Sequence, residues 1–173
     1  MTPRLVPRLF ALDQNFPEPI VDALVDFLTE DAELVPIRRI DPRLPTADDW
    51  QVLQALYAGE RTWDGLVTSD RNMLGLPKEL AVLCQTKLTL VVVVAAGHDP
   101  IKATGLLLAH LSAVCEQTRP DRPQVWTLAT TRKAPDDAWD YVSRAAERHD
   151  TTAQALYRRE RLTADELSSD LLG

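Results

Sequence analysis

The first clearly patterned stretch is Arg8 to Asp13, a short apolar run that reads as a buried strand ending at an aspartate. Pro17 then opens a helix, because a proline loses nothing by lacking its N–H in the first helical turn. Ile20, Leu24, Phe27 and Leu28 follow at the spacing of one helical face. Leu34 to Ile40 reads as a second strand, closed by Asp41-Pro42 and Leu44-Pro45. Thr46 is a good N-cap for the next helix, with Asp48 and Asp49 in its first turn. Trp50, Leu53, Leu56 and Tyr57 form the inward stripe of that helix, and Gly59 lies just past its end. Gly65 to Ser69 is a third strand, and Pro77 opens a helix running to about Thr86. Leu88 to Ala96 is a continuous β-branched run bounded by Gly97, the mark of a strand buried on both faces of a parallel sheet. Ile101 to Glu116 is an amphipathic helix and Val125 to Ala129 a fifth strand.

Strands alternating with helices imply a three-layer α/β/α architecture with a mostly parallel central sheet of about five strands. From Pro135 the pattern turns helical and the sheet is expected to end. Asp136 to Arg148 is one helix and Thr152 to Arg161 another, and Thr163-Ala164-Asp165-Glu166 is a capping box before a short last turn. The chain therefore divides into an α/β domain, residues 1–134, and a helical C-terminal extension, residues 135–173. The extension is free to pack on the sheet domain, swap onto a partner or fray. Trp126 and Trp139 are expected to pack this tail rather than stack on a base.

Charge narrows the range of partners. The net charge is −7, and residues 135–173, with five basic and nine acidic side chains, supply −4 of it. An acidic total argues against broad, sequence-independent nucleic-acid binding. It leaves room for a local basic rim of Arg38, Arg39, Arg43, Arg71 and Lys78. No apolar run is long enough to span a bilayer. Arg4 and Arg8 precede no signal-peptide pattern, so a cytoplasmic protein without a membrane partner is expected. Cys84 and Cys115 fall on apolar helix faces, as buried thiols in a reducing compartment would. His98, His110 and His149 are scattered, with no zinc spacing, and His110 reads as a packing residue. GxGxxG, GxxxxGK[ST] and GxSxG are all missing, which argues against dinucleotide, P-loop and serine-hydrolase chemistry.

The candidate chemistry is acidic. Asp13 ends the first strand, Asp70 ends the third, and Asp49, or its neighbour Asp48, opens the helix leading into that third strand. Ligands of open α/β sheets bind outside the carboxyl ends of the strands, where all three positions fall. Each aspartate alone has an ordinary explanation as a turn residue or a partner of a helix dipole. Together they form a set that Mg²⁺ or Mn²⁺ would hold, and such an ion activates water and neutralises phosphoryl charge. Gly97-His98-Asp99-Pro100 reaches the same edge after the fourth strand. Asp99 is either a further ligand or the N-cap of the next helix, with Pro100 at its first position. His98 and Arg71 are candidates for substrate phosphate.

The segments Leu12-Asp13-Gln14-Asn15-Phe16-Pro17, Asp49-Trp50-Gln51-Val52-Leu53-Gln54-Ala55 and Val67-Thr68-Ser69-Asp70-Arg71-Asn72-Met73 resemble the PIN and PIN-like domain family. That family shows a first-strand Asp, an Asp opening a helix that carries an Ala, and a strand ending Thr-x-Asp. The resemblance covers roughly residues 8 to 96. It implies Mg²⁺- or Mn²⁺-dependent cleavage of RNA, with Asp13, Asp49 and Asp70 as metal ligands and Thr68 or Ser69 supporting them by hydrogen bonds. Many members are toxins of toxin–antitoxin pairs, so an antitoxin or a second copy of the chain is the implied protein partner. Asp22, Asp26 and Glu30 are the candidates for the further helix-borne carboxylate that many members carry. The alternative is a catalytically inactive PIN-like module whose acidic edge binds a protein. A receiver-type phosphoacceptor is a weaker third reading, since no lysine follows a later strand in the expected place and Lys87 precedes one.

Overall fold

The computed structural model of the chain describes residues 6–19, 21–23, 30–131 and 134–173. Its centre is a sheet of β1 (Arg8–Leu12), β2 (Ala32–Pro36), β3 (Gly65–Thr68), β4 (Thr89–Val93), β5 (Gln124–Leu128) and β6 (Asp136–Asp137). The spatial order is β2-β1-β3-β4-β5-β6. The first five strands are parallel, and β6 runs antiparallel to β5. The helices are α1 (Ile37–Ile40), α2 (Asp49–Ala58), α3 (Pro77–Thr86), α4 (Pro100–Gln117), α5 (Ala138–Arg148), α6 (Ala153–Glu160) and α7 (Ala164–Ser168). Residues 18–19 and 21–23 are helical as well. The predicted stripe of Ile20, Leu24, Phe27 and Leu28 lies outside the described residues, as does Asp26. No helix among the described residues is long and apolar enough to cross a membrane.

Alternation along the strands builds two cores. Leu9, Ala11, Leu66, Leu90, Val92 and Val125 face one layer, which contains α2, α3 and α5. Phe10, Leu12, Val67, Val91, Val93, Trp126 and Leu128 face the other, which contains α4. Strands buried on both faces must be apolar at successive positions, which is why β4 reads as an uninterrupted run. Fully burying one of these large side chains contributes about 1.5–3 kcal/mol. Gly65 allows β3 and β4 to approach, because a Cβ there would collide with the Thr89 carbonyl.

The C-terminal helices belong to the first core. Tyr141, Val142, Ala145 and Ala146 of α5 and Leu156 of α6 are buried in the same cluster as Leu53 and Leu56 of α2 and Leu80 and Leu83 of α3. Three glutamines fasten the chain end to these helices. Gln54 Nε2 donates to the carbonyls of Glu166, Leu167 and Ser169 at 3.3, 3.0 and 2.7 Å. Gln51 Nε2 donates to Leu171 O at 2.9 Å. Gln85 bonds both the N–H and the carbonyl of Leu162.

Several local expectations need correction. The second strand stops at Pro36, and residues 37–40 turn helical, which buries Ile37 and leaves Arg38 and Arg39 outside. The sheet does not end before residue 135: Asp136 and Asp137 add a short sixth strand through backbone pairing to Val125 and Gln124. Two aspartates have almost no strand propensity, but a charged, very short edge strand blunts further pairing. Tyr57 is 49 % exposed rather than inward. Trp126 packs against the α4 layer, on the opposite face of the sheet from the C-terminal helices. Trp139 does pack the tail, edge-on to Tyr157 with ring centroids 5.6 Å apart.

Candidate active site

The strand order changes direction at β1, with β2 on one side and β3 on the other. The connection from β1 runs outward to β2 and the next one returns past β1 to β3, so the carboxyl ends of β1 and β3 lie at the turning point of the strand order, where such sheets bind ligands. Asp13 is the first residue beyond β1, and its N–H extends the ladder by donating to Val67 O at 2.9 Å. Asp70 lies two residues beyond β3.

One buried side chain joins them. Thr68, fully buried at the end of β3, donates its hydroxyl to Asp13 Oδ2 at 2.8 Å. Thr68 Oγ1 in turn accepts the Asp70 N–H at 3.0 Å. A β-branched threonine suits the last strand position, and its hydroxyl serves as donor and acceptor at once. The Gln14 N–H at 2.7 Å and Asn15 Nδ2 at 3.2 Å complete the shell of Asp13. Asp70 Oδ1 accepts the Asn72 N–H at 2.8 Å, capping the 3-10 turn Arg71–Leu74.

Asp49, half-buried, is the first residue of α2. Its carboxyl is pushed up from 3.8 to about 6, first by burial and then by the negative charges of Asp13, Asp70, Glu79 and Asp48. The three sequence-predicted aspartates thus share one neighbourhood. Asp48 is the exposed N-cap of α2, its N–H donating to Gln51 Oε1 at 2.9 Å. Glu79, in the first turn of α3, is a carboxylate that the sequence reading passed over. Burial raises its pKa, and Asp48 and Glu160 add to the effect. The available signal was Pro77-Lys78-Glu79: like Asp48-Asp49, it opens a helix at the carboxyl edge of the sheet.

Other candidates separate. Asp22 pairs with Arg39 at 2.9 Å, and Glu30 sits exposed in a turn before β2. Asp99 is the N-cap of α4, its Oδ1 accepting the N–H groups of Ile101 and Lys102 at 3.0 and 3.1 Å. His110 meets the Ala129 carbonyl at 2.9 Å, away from the aspartates. Most of the basic rim is engaged. Arg38 and Arg39 pair with Glu18, Arg43 bridges Asp41 and Asp170, and Lys78 lies over the Trp50 ring. Arg71, exposed beside Asp70, has no ion pair among the described residues.

Two open grooves flank the Thr68 bridge. One, of about 260 Å³, is lined by Asp13, Phe16, Glu18, Ile37 and Arg38 among others. The larger, of about 530 Å³, has Asp70, Arg71 and Asn72 along one wall and Gly97, His98 and Asp99 along the other. Among the described residues, no three His, Cys, Asp or Glu side chains are drawn close enough to enclose an ion already. The donor chemistry nevertheless suits a hard divalent cation: the oxygens are all carboxylate, and Mg²⁺ retains several waters and needs few protein ligands. Asp49, held near Asp13 and Asp70 against mutual repulsion, is the group such a cation would relieve most. Comparison with protein-family models, with curated proteins and with solved structures finds no match to this chain.

Proposed function

We propose that this protein is a Mg²⁺- or Mn²⁺-dependent ribonuclease of PIN-like type, with Asp13, Asp49 and Asp70 holding the cation. The observation that carries the reading is the threonine bridge at the sheet's switch point. Thr68 ties the Asp13 carboxylate to the Asp70 backbone, and the pKa of Asp49 is lifted to about 6, first by burial and then by the charges of Asp13 and Asp70 beside it. Repelling carboxylates fixed at a ligand crevice are most simply explained by a cation that neutralises them.

The cation would supply Lewis acidity, activating water and offsetting charge on the phosphoryl group. The protein's own part is positional. Thr68 fixes the orientation of Asp13 and the path of the chain into Asp70, while α2 delivers Asp49 from a rigid helix end. Arg71, exposed and without an ion pair among the described residues, would hold a substrate phosphate oxygen through charge-assisted hydrogen bonds. The cytoplasm is the compartment this chemistry implies, and an antitoxin or a second copy of the chain is the protein partner that would cover the crevice.

The test is a titration of Mn²⁺ into wild type and into the Asp13→Ala/Asp70→Ala double variant, following melting temperature and cleavage of a structured RNA. The metal should raise the melting temperature of wild type alone, because a ligand that binds only the native state stabilises it, and wild type alone should cleave. No shift in wild type at millimolar metal refutes the site. A shift without cleavage reassigns the domain to the inactive, protein-binding alternative.

A further inference from the structure

The larger groove offers more than Asp70. Its lining includes Ser69, Arg71, Asn72 and His98, four polar side chains without a hydrogen bond or ion pair among the described residues. The acidic residues beside them are partly committed: Asp99 Oδ1 is spent on the N-terminus of α4, and Asp70 Oδ1 on the turn at Asn72. Pro100 and Ala103 supply apolar surface. Gly97, with φ of +58° and open space around its Cα, carries the chain into this wall. Groove size is a further constraint. About 530 Å³ falls within the range of small-ligand sites, roughly 300–1,000 Å³, and is ample for one nucleotide.

From this lining we infer that the groove between Asp70–Asn72 and Gly97–Pro100 is a nucleotide subsite for a single-stranded RNA, seating the residue next to the phosphate held at Asp70. The inference rests on the proposed ribonuclease reading and specifies how that site takes its substrate. Arg71 holds the phosphate. The His98 imidazole and the Pro100 ring provide a surface on which an unstacked base lies, as bases of single strands do on aromatic side chains. Ser69 and Asn72 provide hydrogen bonds to sugar hydroxyls or a base edge. A duplex cannot enter such a groove, because its bases are paired and stacked.

Binding without turnover isolates the groove. A fluorescent single-stranded oligoribonucleotide is titrated in EDTA into wild type, Arg71→Ala, His98→Ala and Arg122→Ala. The last removes an equal, exposed charge just before the start of β5, at the opposite edge of the sheet. Arg71→Ala should weaken binding about tenfold and lower the salt dependence by about one counterion. His98→Ala should weaken it at least about fivefold, as expected when one stacked base is lost. Arg122→Ala should leave it unchanged. Equal losses for Arg71→Ala and Arg122→Ala would show a diffuse charge effect and overturn the subsite. So would wild-type affinity in both groove variants, or no wild-type binding at about 10⁻⁴ M, the weak end of non-specific association. A mononucleotide binding as tightly as the oligomer, or a duplex competing equally, overturns the single-strand assignment. The two readings fail separately. Cleavage by wild type with unchanged KM in Arg71→Ala and His98→Ala removes the subsite alone. Groove-dependent binding with no Mn²⁺-dependent cleavage removes the hydrolytic activity alone.

Discussion

Asp49→Asn tests the electrostatic logic of the site without any substrate. The substitution keeps shape and removes one negative charge from the group whose carboxyl is lifted to about 6 by burial and by Asp13, Asp70, Glu79 and Asp48. A carboxyl whose pKa is higher folded than unfolded binds more protons in the native state across the interval between the two values. Stability therefore falls as pH rises from about 4 to about 6, and the loss is complete above that. The rise from 3.8 to about 6 corresponds to about 3 kcal/mol if taken at face value. The group is only half-buried, so solvent screening reduces this to about 1.5 kcal/mol. A carboxylate at a helix N-terminus is itself worth about 0.5 kcal/mol, which asparagine gives up. Metal-free Asp49→Asn should thus be more stable than wild type at pH 7.5 by about 1 kcal/mol, or about 2–4 °C in melting temperature for a chain of this size. The advantage should vanish at pH 4. Denaturant melts in EDTA between pH 4 and pH 8 measure it, and Mn²⁺ should then stabilise wild type but not the variant. If Asp49→Asn is less stable than wild type at pH 7.5, the carboxylate is not held against repulsion and the argument for a cation fails.

Other outcomes follow from particular contacts. Thr68→Val keeps the shape of a fully buried side chain but strands the Asp70 N–H and leaves Asp13 Oδ2 with Asn15 Nδ2 as its donor; urea melts should show a loss of about 1–3 kcal/mol, with weaker Mn²⁺ stabilisation. Gln54→Ala removes the donor shared by three carbonyls near the chain end. Amide exchange and proteolysis over residues 162–172 should accelerate in that variant while α4 stays protected. Lys87 closes α3 at a left-handed φ of 55°, so Lys87→Gly should stabilise by about 0.5–1 kcal/mol, read by thermal melts. Burial pushes the Cys84 thiol up to about 12, so native protein should react slowly there with a thiol reagent at pH 8, and denaturant should restore reactivity.

The sequence by itself determined the elements and their kind. Buried parallel strands must be apolar at every position, so β4 was legible as a run of valines. Helices need partners for their first N–H groups, so Asp99, Thr152 and Thr163 marked where helices begin, and each is an N-cap in the fold; Thr46, the expected N-cap of α2, instead ends a 3-10 turn, and Asp48 caps that helix. Asp13 and Asp70 were legible because each follows a strand. What only the tertiary structure decided is which strands are neighbours. The order β2-β1-β3 puts Asp13 beside Asp70 and lets one threonine hydroxyl hold both; no local pattern encodes that adjacency, since the residues lie 57 positions apart in the chain. The place of Trp126 in the α4 layer, the two-aspartate strand β6 and the merging of the C-terminal helices into the core of α2 and α3 were likewise fixed by packing. Propensity acts over a few residues, whereas the face a side chain buries and the neighbour its carboxylate repels depend on contacts between distant parts of the chain.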